Sequence, residues 1–214
     1  MLYCILFPPL PSCPHMRKLA IIAGTASLFL VACVDTTGLT GDIHKDPHPE
    51  SNPNGVVIVS EFADLQCPAC RTAHESVTAP LLAKYGSVVR FEFHHFPLRS
   101  IHRYALAAAE AAECSGDQGK FWEFVDRVYA EQDKLSSAQL TTWAGDLKLD
   151  IPLFTRCTKS HIKREAILAE YTAAEQGGVR GTPTFFVNGK QTPATVDDLG
   201  KAIDAIVSGQ KKML

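Results

Sequence analysis

Apolar and polar positions change period three times along this chain. Val56-Val57-Ile58-Val59-Ser60-Glu61-Phe62 is a nearly unbroken apolar run after the turn signal Pro53-Asn54-Gly55, and it predicts a central strand buried on both faces. A helix is expected from Pro68 to about Lys84, with Pro80 as a kink. Val88 to Phe96 alternates, with Val89, Phe91 and Phe93 set against Arg90, Glu92 and His94, and predicts a second strand. From Ile101 to about Ser160 the period is helical: Phe121, Trp122, Val125, Val128 and Tyr129 share one face. Ser136 with Gln139 caps a helix carrying Leu140, Trp143, Ala144 and Leu147. A further helix follows Ser160 and stops at Gly177-Gly178, where the chain has the residues a helix end needs. Thr184 to Val187 then enters a tight hairpin at Asn188-Gly189, and Thr195 with Asp198 caps a last helix carrying Val196, Leu199, Ile203 and Ile206.

The expected class is therefore α/β, in the order strand, helix, strand, helical block, linking helix, strand, strand, helix. With 214 residues and 46% hydrophobic content the chain holds one domain, or one domain with a large insertion, and can build its own core. A formal charge of −2 without a Lys/Arg run excludes a nucleic-acid partner, which would require a basic stripe.

The first residues carry a different pattern. Arg17-Lys18, the apolar stretch Leu19 to Leu30 and then Leu30-Val31-Ala32-Cys33 read as an export signal, too short to span a bilayer comfortably. The last four of these residues resemble a bacterial lipobox, which implies acylation of Cys33 and attachment to a membrane. A plain secretory signal or a short anchor is the alternative. Met16 stands directly before the basic pair and is an alternative start to Met1, in which case Cys4 and Cys13 fall outside the protein. Residues 1–32 are thus read as upstream extension and signal. Residues 33–54, with Pro47, Pro49 and Pro53 among Thr, Gly, Asp and His, are read as a flexible tether.

The tetrad Cys67-Pro68-Ala69-Cys70 lies where the first strand hands over to a helix. There Cys67 would be the helix N-cap and Pro68 the first helical residue, a place where proline loses no hydrogen bond. A thiolate at that point meets free amides and the positive end of the helix dipole, so Cys67 should ionise well below the free value of about 8.5 and act as nucleophile. Cys70, one turn inside, should be the buried resolving thiol. With Cys4, Cys13 and Cys33 set aside, Cys67, Cys70, Cys114 and Cys157 remain, which allows three pairings. The tetrad spacing favours Cys67 with Cys70 and so leaves Cys114 with Cys157. Closing that loop would stabilise by about 4 kcal/mol in the entropic description.

The order of elements, Glu61 ahead of Cys67, the tetrad itself, and Gly181-Thr182-Pro183-Thr184-Phe185-Phe186-Val187-Asn188-Gly189 together resemble the DsbA-like branch of the thioredoxin superfamily. The resemblance covers residues 55–209. It implies a thioredoxin fold with a helical insertion at about 100–160, and a thiol:disulfide oxidoreductase whose Cys67-Cys70 redox disulfide oxidises cysteine pairs of exported proteins. It also implies that Pro183 is cis and leaves the backbone of Thr182 open to an extended substrate. Glu61, a carboxyl in a buried strand, would move the proton of the resolving thiol. A second, structural disulfide occurs in some relatives of this kind, which suits Cys114 with Cys157; two free buried thiols are the alternative. A membrane redox partner, an extracytoplasmic location, a monomeric state and no cofactor complete the expectation. Ala69 departs from the best-known pattern, which has histidine there; alanine offers the thiolate no extra donor, so a milder oxidant, or a reductase or isomerase, stays open.

His94, His95 and His102 lack a second Cys-x-x-Cys or an His-x-x-x-His spacing, so no metal is expected, and they are read as solvated or strand-end residues. His74, one turn after Cys70, is read as facing water, with a place lining the site as the alternative, and Phe121, Trp122, Phe124 and Trp143 as core, with a substrate groove as theirs. The rival from another class is a lipoprotein that holds a soft metal ion on the two thiols. An idle binding module built on the Thr182-Pro183 surface is a third.

Overall fold

The computed structural model describes Thr36 and residues 39–211. Expectations that fall on Cys4, Cys13, Met16, the signal and Cys33 lie outside the described residues. Four strands form one mixed sheet in the order β2-β1-β3-β4: β1 Val57–Ala63, β2 Val89–His95, β3 Thr184–Val187 and β4 Lys190–Thr192. β1 runs parallel to β2 and antiparallel to β3, and β3 and β4 form the hairpin turned by Asn188 and Gly189, both at positive φ.

Helix α1 (Pro68–Ala73) leads through a single π-helical stretch, His74–Thr78, into α2 (Ala79–Tyr85). The expected helix is thus continuous in direction, but its irregularity sits before Pro80 and not at it. Proline occupies the second position of α2, where its missing N–H costs little. Four helices make the block between β2 and the linking helix: α3 Ala105–Gly116, α4 Phe121–Ala130, α5 Ser137–Asp146 and α6 Ile151–Ser160. Ser136 Oγ accepts from the Gln139 amide as its sequence position requires. Helices α7 (Arg164–Gln176) and α8 (Val196–Lys211) follow, the latter capped by Thr195.

One core fills the space between the sheet, α1, α2, α8 and the helical block. Val57, Val59, Phe91, Leu81, Leu199 and Ile203 meet there with Phe121, Trp122, Phe124 and Trp143, all buried. The opposite sheet face is covered less completely. Phe62 and Phe186 pack with Phe96, Ala174 and Val179 under α7, whereas Ile58 remains 41% exposed. The central strand is therefore buried on one face only, and the unbroken apolar run overstated its burial because α7 reaches only part of the sheet.

The tether expected over 33–54 needs a second correction. From Asp42 onward the chain lies on the domain: the Asp42 carbonyl accepts from Lys163 Nζ at 2.6 Å, the His44 ring stacks on Phe121, and the His48 amide donates to the Phe91 carbonyl at 2.9 Å. His48 and Ser51 are buried. The segment is a strap along β2 held by backbone and side-chain bonds to the fold, so composition alone misread it.

Candidate active site

The end of β1 and the start of α1 bring the tetrad to the edge of the sheet. Cys67 is the N-cap of α1 in extended conformation, and Pro68 follows as its first residue. Cys67 is 7% exposed and Cys70 fully buried, and both are free thiols. Their ionisation is pulled apart. The hydrogen bond from the Cys70 thiol, opposed by burial and aided by Thr182 and the amides of Cys70 and Ala69, lowers Cys67 to about 5. Burial, then the competing Cys67 thiolate, raises Cys70 well above the ordinary thiol range. The neighbouring thiol, aided by the amides of the helix start, explains the first result, and a water-free interior the second.

Across from Cys67 lies the Thr182-Pro183 bond, which is cis, with the Thr182 carbonyl 3.7 Å from the Cys67 sulfur. Glu61 sits in β1, opposite Phe93 on one side and Phe185 on the other, and is 1% exposed. Burial raises its carboxyl to about 7, against the charge of His74 and the hydrogen bond it accepts from the Thr78 hydroxyl at 3.2 Å.

His74 does not simply face water. It belongs to the π-helical stretch, packs its ring on Tyr129 at 4.9 Å and places Nε2 3.1 Å from Asp126. Burial works to lower its pKa, but the hydrogen bond and charge of Asp126, with the charge of Glu61, raise it. His94 and His95 are strand-end residues, the last two of β2, but neither they nor His102 are simply solvated. His95 is buried with Nε2 2.8 Å from Glu113, His94 Nδ1 is 2.8 Å from Glu170, and His102 Nδ1 is 2.7 Å from Asp64. Each takes a carboxylate partner supplied by a distant segment. No group of His, Cys, Asp and Glu suited to hold a metal ion occurs among the described residues.

Two residues of the site gave no signal in the sequence. Asp64, 2% exposed, donates its amide to the Cys70 sulfur at 3.5 Å, while its carboxylate accepts from the amides of Gln66 and Leu98. Gln132, in a short 3-10 turn after α4, donates from Nε2 to the carbonyls of Leu65 at 2.9 Å and Cys67 at 3.1 Å. The Arg71–Asp133 ion pair at 3.2 Å ties α1 to the same turn. Neither Asp64 nor Gln132 belongs to a motif, since both act through pairings that only the folded chain creates.

Cys114 and Cys157 lie on α3 and α6, away from the tetrad in sequence, and are joined by a disulfide.

Comparison with known proteins agrees with this geometry. Residues 50–205 match the family model described as Thioredoxin. A thioredoxin-like oxidoreductase from Silicibacter pomeroyi DSS-3 is 26% identical and superposes with a TM-score of 0.62, covering 77% of this chain and 94% of that one. Wolbachia pipientis alpha-DsbA1 is 21% identical with a TM-score of 0.66, covering 76% and 90%. A curated relative named Na(+)/H(+) antiporter NhaA 3, from Salinispora tropica, is 41% identical over 149 residues, but these are 69% of this chain and only 22% of that protein. The chain therefore spans about a fifth of that relative's length, and among the described residues no helix is long and apolar enough to cross a membrane. By its family match, its sheet order and the helical block set between its two halves, this chain belongs to the thioredoxin family and has the DsbA-like form of its fold.

Proposed function

We propose that the chain is a thiol:disulfide oxidoreductase that oxidises cysteine pairs of exported proteins through Cys67 and Cys70. The observation that carries this reading is the split between the two thiols: one near-surface sulfur held ionised down to about pH 5, one sealed sulfur kept protonated. Stabilising the Cys67 thiolate stabilises the reduced protein, which makes its disulfide an oxidant.

In the reaction a substrate thiolate attacks the Cys67 sulfur of the Cys67–Cys70 disulfide. The new bond forms between substrate and Cys67, and the electron pair of the broken bond leaves on Cys70, which takes up a proton. Glu61, buried and close enough for its charge to bear on Cys70, is the group that supplies it. The substrate's second thiolate then attacks the mixed disulfide, and Cys67 departs as a stable thiolate. The substrate loses two electrons and two protons. The Thr182 carbonyl beside Cys67 offers an extended substrate a backbone partner.

In this reading the protein works outside the cytoplasm, held to a membrane by lipid on Cys33, acts as a monomer without a cofactor, and is reoxidised by a membrane redox partner. Ala69 supports a second reading, a reductase or isomerase, because it gives the Cys67 thiolate no side-chain donor. Cys70→Ser expressed in the native host tests the role: substrates should accumulate on Cys67 as mixed disulfides, and their absence would remove the proposal. The reduction potential decides direction, since a value near thioredoxin's, about −270 mV, would assign a reductase.

A further inference from the structure

Between β2 and α3 the loop Pro97–Tyr104 is fastened at three points to the turn that leads into the tetrad. Leu98 donates its amide to Asp64 Oδ2 at 2.8 Å, His102 Nδ1 lies 2.7 Å from the same oxygen, and Tyr104 donates its amide to Gln66 Oε1 at 2.6 Å. Asp64 and Gln66 are the residues that lead into Cys67, so the loop is part of the rim around the reactive sulfur. The loop presents one large apolar side chain outward between two cations. Ile101 is 71% exposed, well above Val56 and Ile58. Arg99 and Arg103 flank it, both exposed.

Neither arginine makes an ion pair among the described residues. Each guanidinium instead lies over a tyrosine ring, Arg99 5.9 Å from the Tyr171 centroid and Arg103 5.1 Å from that of Tyr104. A guanidinium resting on a ring keeps its N–H edge free for a carboxylate. The carboxylate that fastens the loop, Asp64, spends its oxygens on Gln66, Leu98 and His102 and makes no ion pair with either arginine among the described residues.

We propose that this loop selects substrates: it takes extended polypeptide segments in which acidic residues and an apolar side chain stand next to the reacting cysteine. Ile101 covers the apolar side chain while Arg99 and Arg103 meet the carboxylates. This inference rests on the thiol:disulfide reading and names the substrate class for it.

The test uses the full chain, oxidised, with two-cysteine peptides that differ only in carrying Glu or Lys beside the cysteines. Rates are followed by acid quench and mass spectrometry, each normalised to that peptide's rate with an uncharged small disulfide. At low salt the Glu peptide should react about fivefold faster or more, the scale of one or two exposed ion pairs, and the advantage should shrink at high salt. The double variant R99E/R103E should reverse the order, and Ile101→Ser should slow both peptides. Reduction by dithiothreitol, whose thiolate is the same whichever peptide is compared, should change by less than the ratio between the peptides in every variant, and circular dichroism reports that they fold. Equal normalised rates for the two peptides, or a preference untouched by R99E/R103E, would overturn the selection role while leaving the redox chemistry standing. Failure of dithiothreitol to reduce Cys67–Cys70 in the parent chain would instead remove the redox reading, and this inference with it.

Discussion

Among the described residues two cysteine pairs stand in contrasting surroundings. Cys67 and Cys70 stand at the start of a helix that opens at the edge of the sheet, one near the surface and one sealed, and their sulfurs differ widely in proton affinity. Cys114 and Cys157 come from two helices packed together in the block, are each 1% exposed, and are already joined. The first pair is surrounded by polar partners: free amides, the Thr182 carbonyl, the Asp64 amide and a buried carboxyl. All four cysteines line the one core, but the sulfurs of the second pair are bonded to each other. Reactivity thus follows from where the backbone ends a helix and from what the sulfur can lean on when charged, not from the presence of two nearby thiols.

The largest expected effect separates the pairs by activity. Cys67→Ser should lower the rate of peptide oxidation by at least about a thousandfold, because in the proposed reaction the Cys67 sulfur is both the atom the substrate attacks and the leaving group. The double variant C114A/C157A should leave that rate within about twofold. A large loss in the second variant would break the distinction.

The same double variant should show the stability side of the contrast. Sequence separation between Cys114 and Cys157 is 43 residues, and freeing a loop of this size should cost about 2–4 kcal/mol in urea unfolding. By comparison, reducing Cys67–Cys70 should favour the folded state where Cys67 is ionised. A thiol whose folded pKa is depressed contributes stability fully above its unfolded value of about 8.5 and loses it as pH falls through about 5. The Cys67 contribution to the difference in melting temperature between reduced and oxidised protein should therefore shrink over that window.

Glu61→Gln sharpens the picture of the polar surround. A carboxyl raised to about 7 holds a proton in the folded chain that the unfolded chain releases, so its penalty is absent below about pH 4.5, grows as pH rises and levels above about 7. Glutamine should leave stability unchanged at pH 4 and raise it at pH 8 by on the order of 2 kcal/mol. It should also flatten the pH dependence of the exchange rate near neutrality. The smallest effect belongs to Ala69→His. An added donor beside Cys67 should lower the thiolate pKa by about one unit and raise the reduction potential by about 30 mV, measured against glutathione.

Local signatures were readable along the chain. The Cys67-Pro68 handover, the Thr182-Pro183 position, the Ser136 and Thr195 caps and the Asn188-Gly189 hairpin all involve residues close in sequence, where the backbone itself dictates the residue type. Features built by distant pairings were not readable. Glu113 comes from α3 to His95, Glu170 from α7 to His94 and Asp126 from α4 to His74, and nothing in the spacing of these residues announces the match. The strap over 42–54 was misread for the same reason, since its partners Lys163, Phe121 and Phe91 lie far along the chain.

Gln132 carries a consequence for anyone who would treat the helical block as a detachable module. Its side-chain amide is the buckle between that block and the loop bearing the reactive sulfur, so exchanging the block for one from a relative would also exchange the fastening. A chimaera lacking a donor there would fold both halves yet leave the catalytic turn loosely held, and restoring that one amide should recover much of the lost turnover.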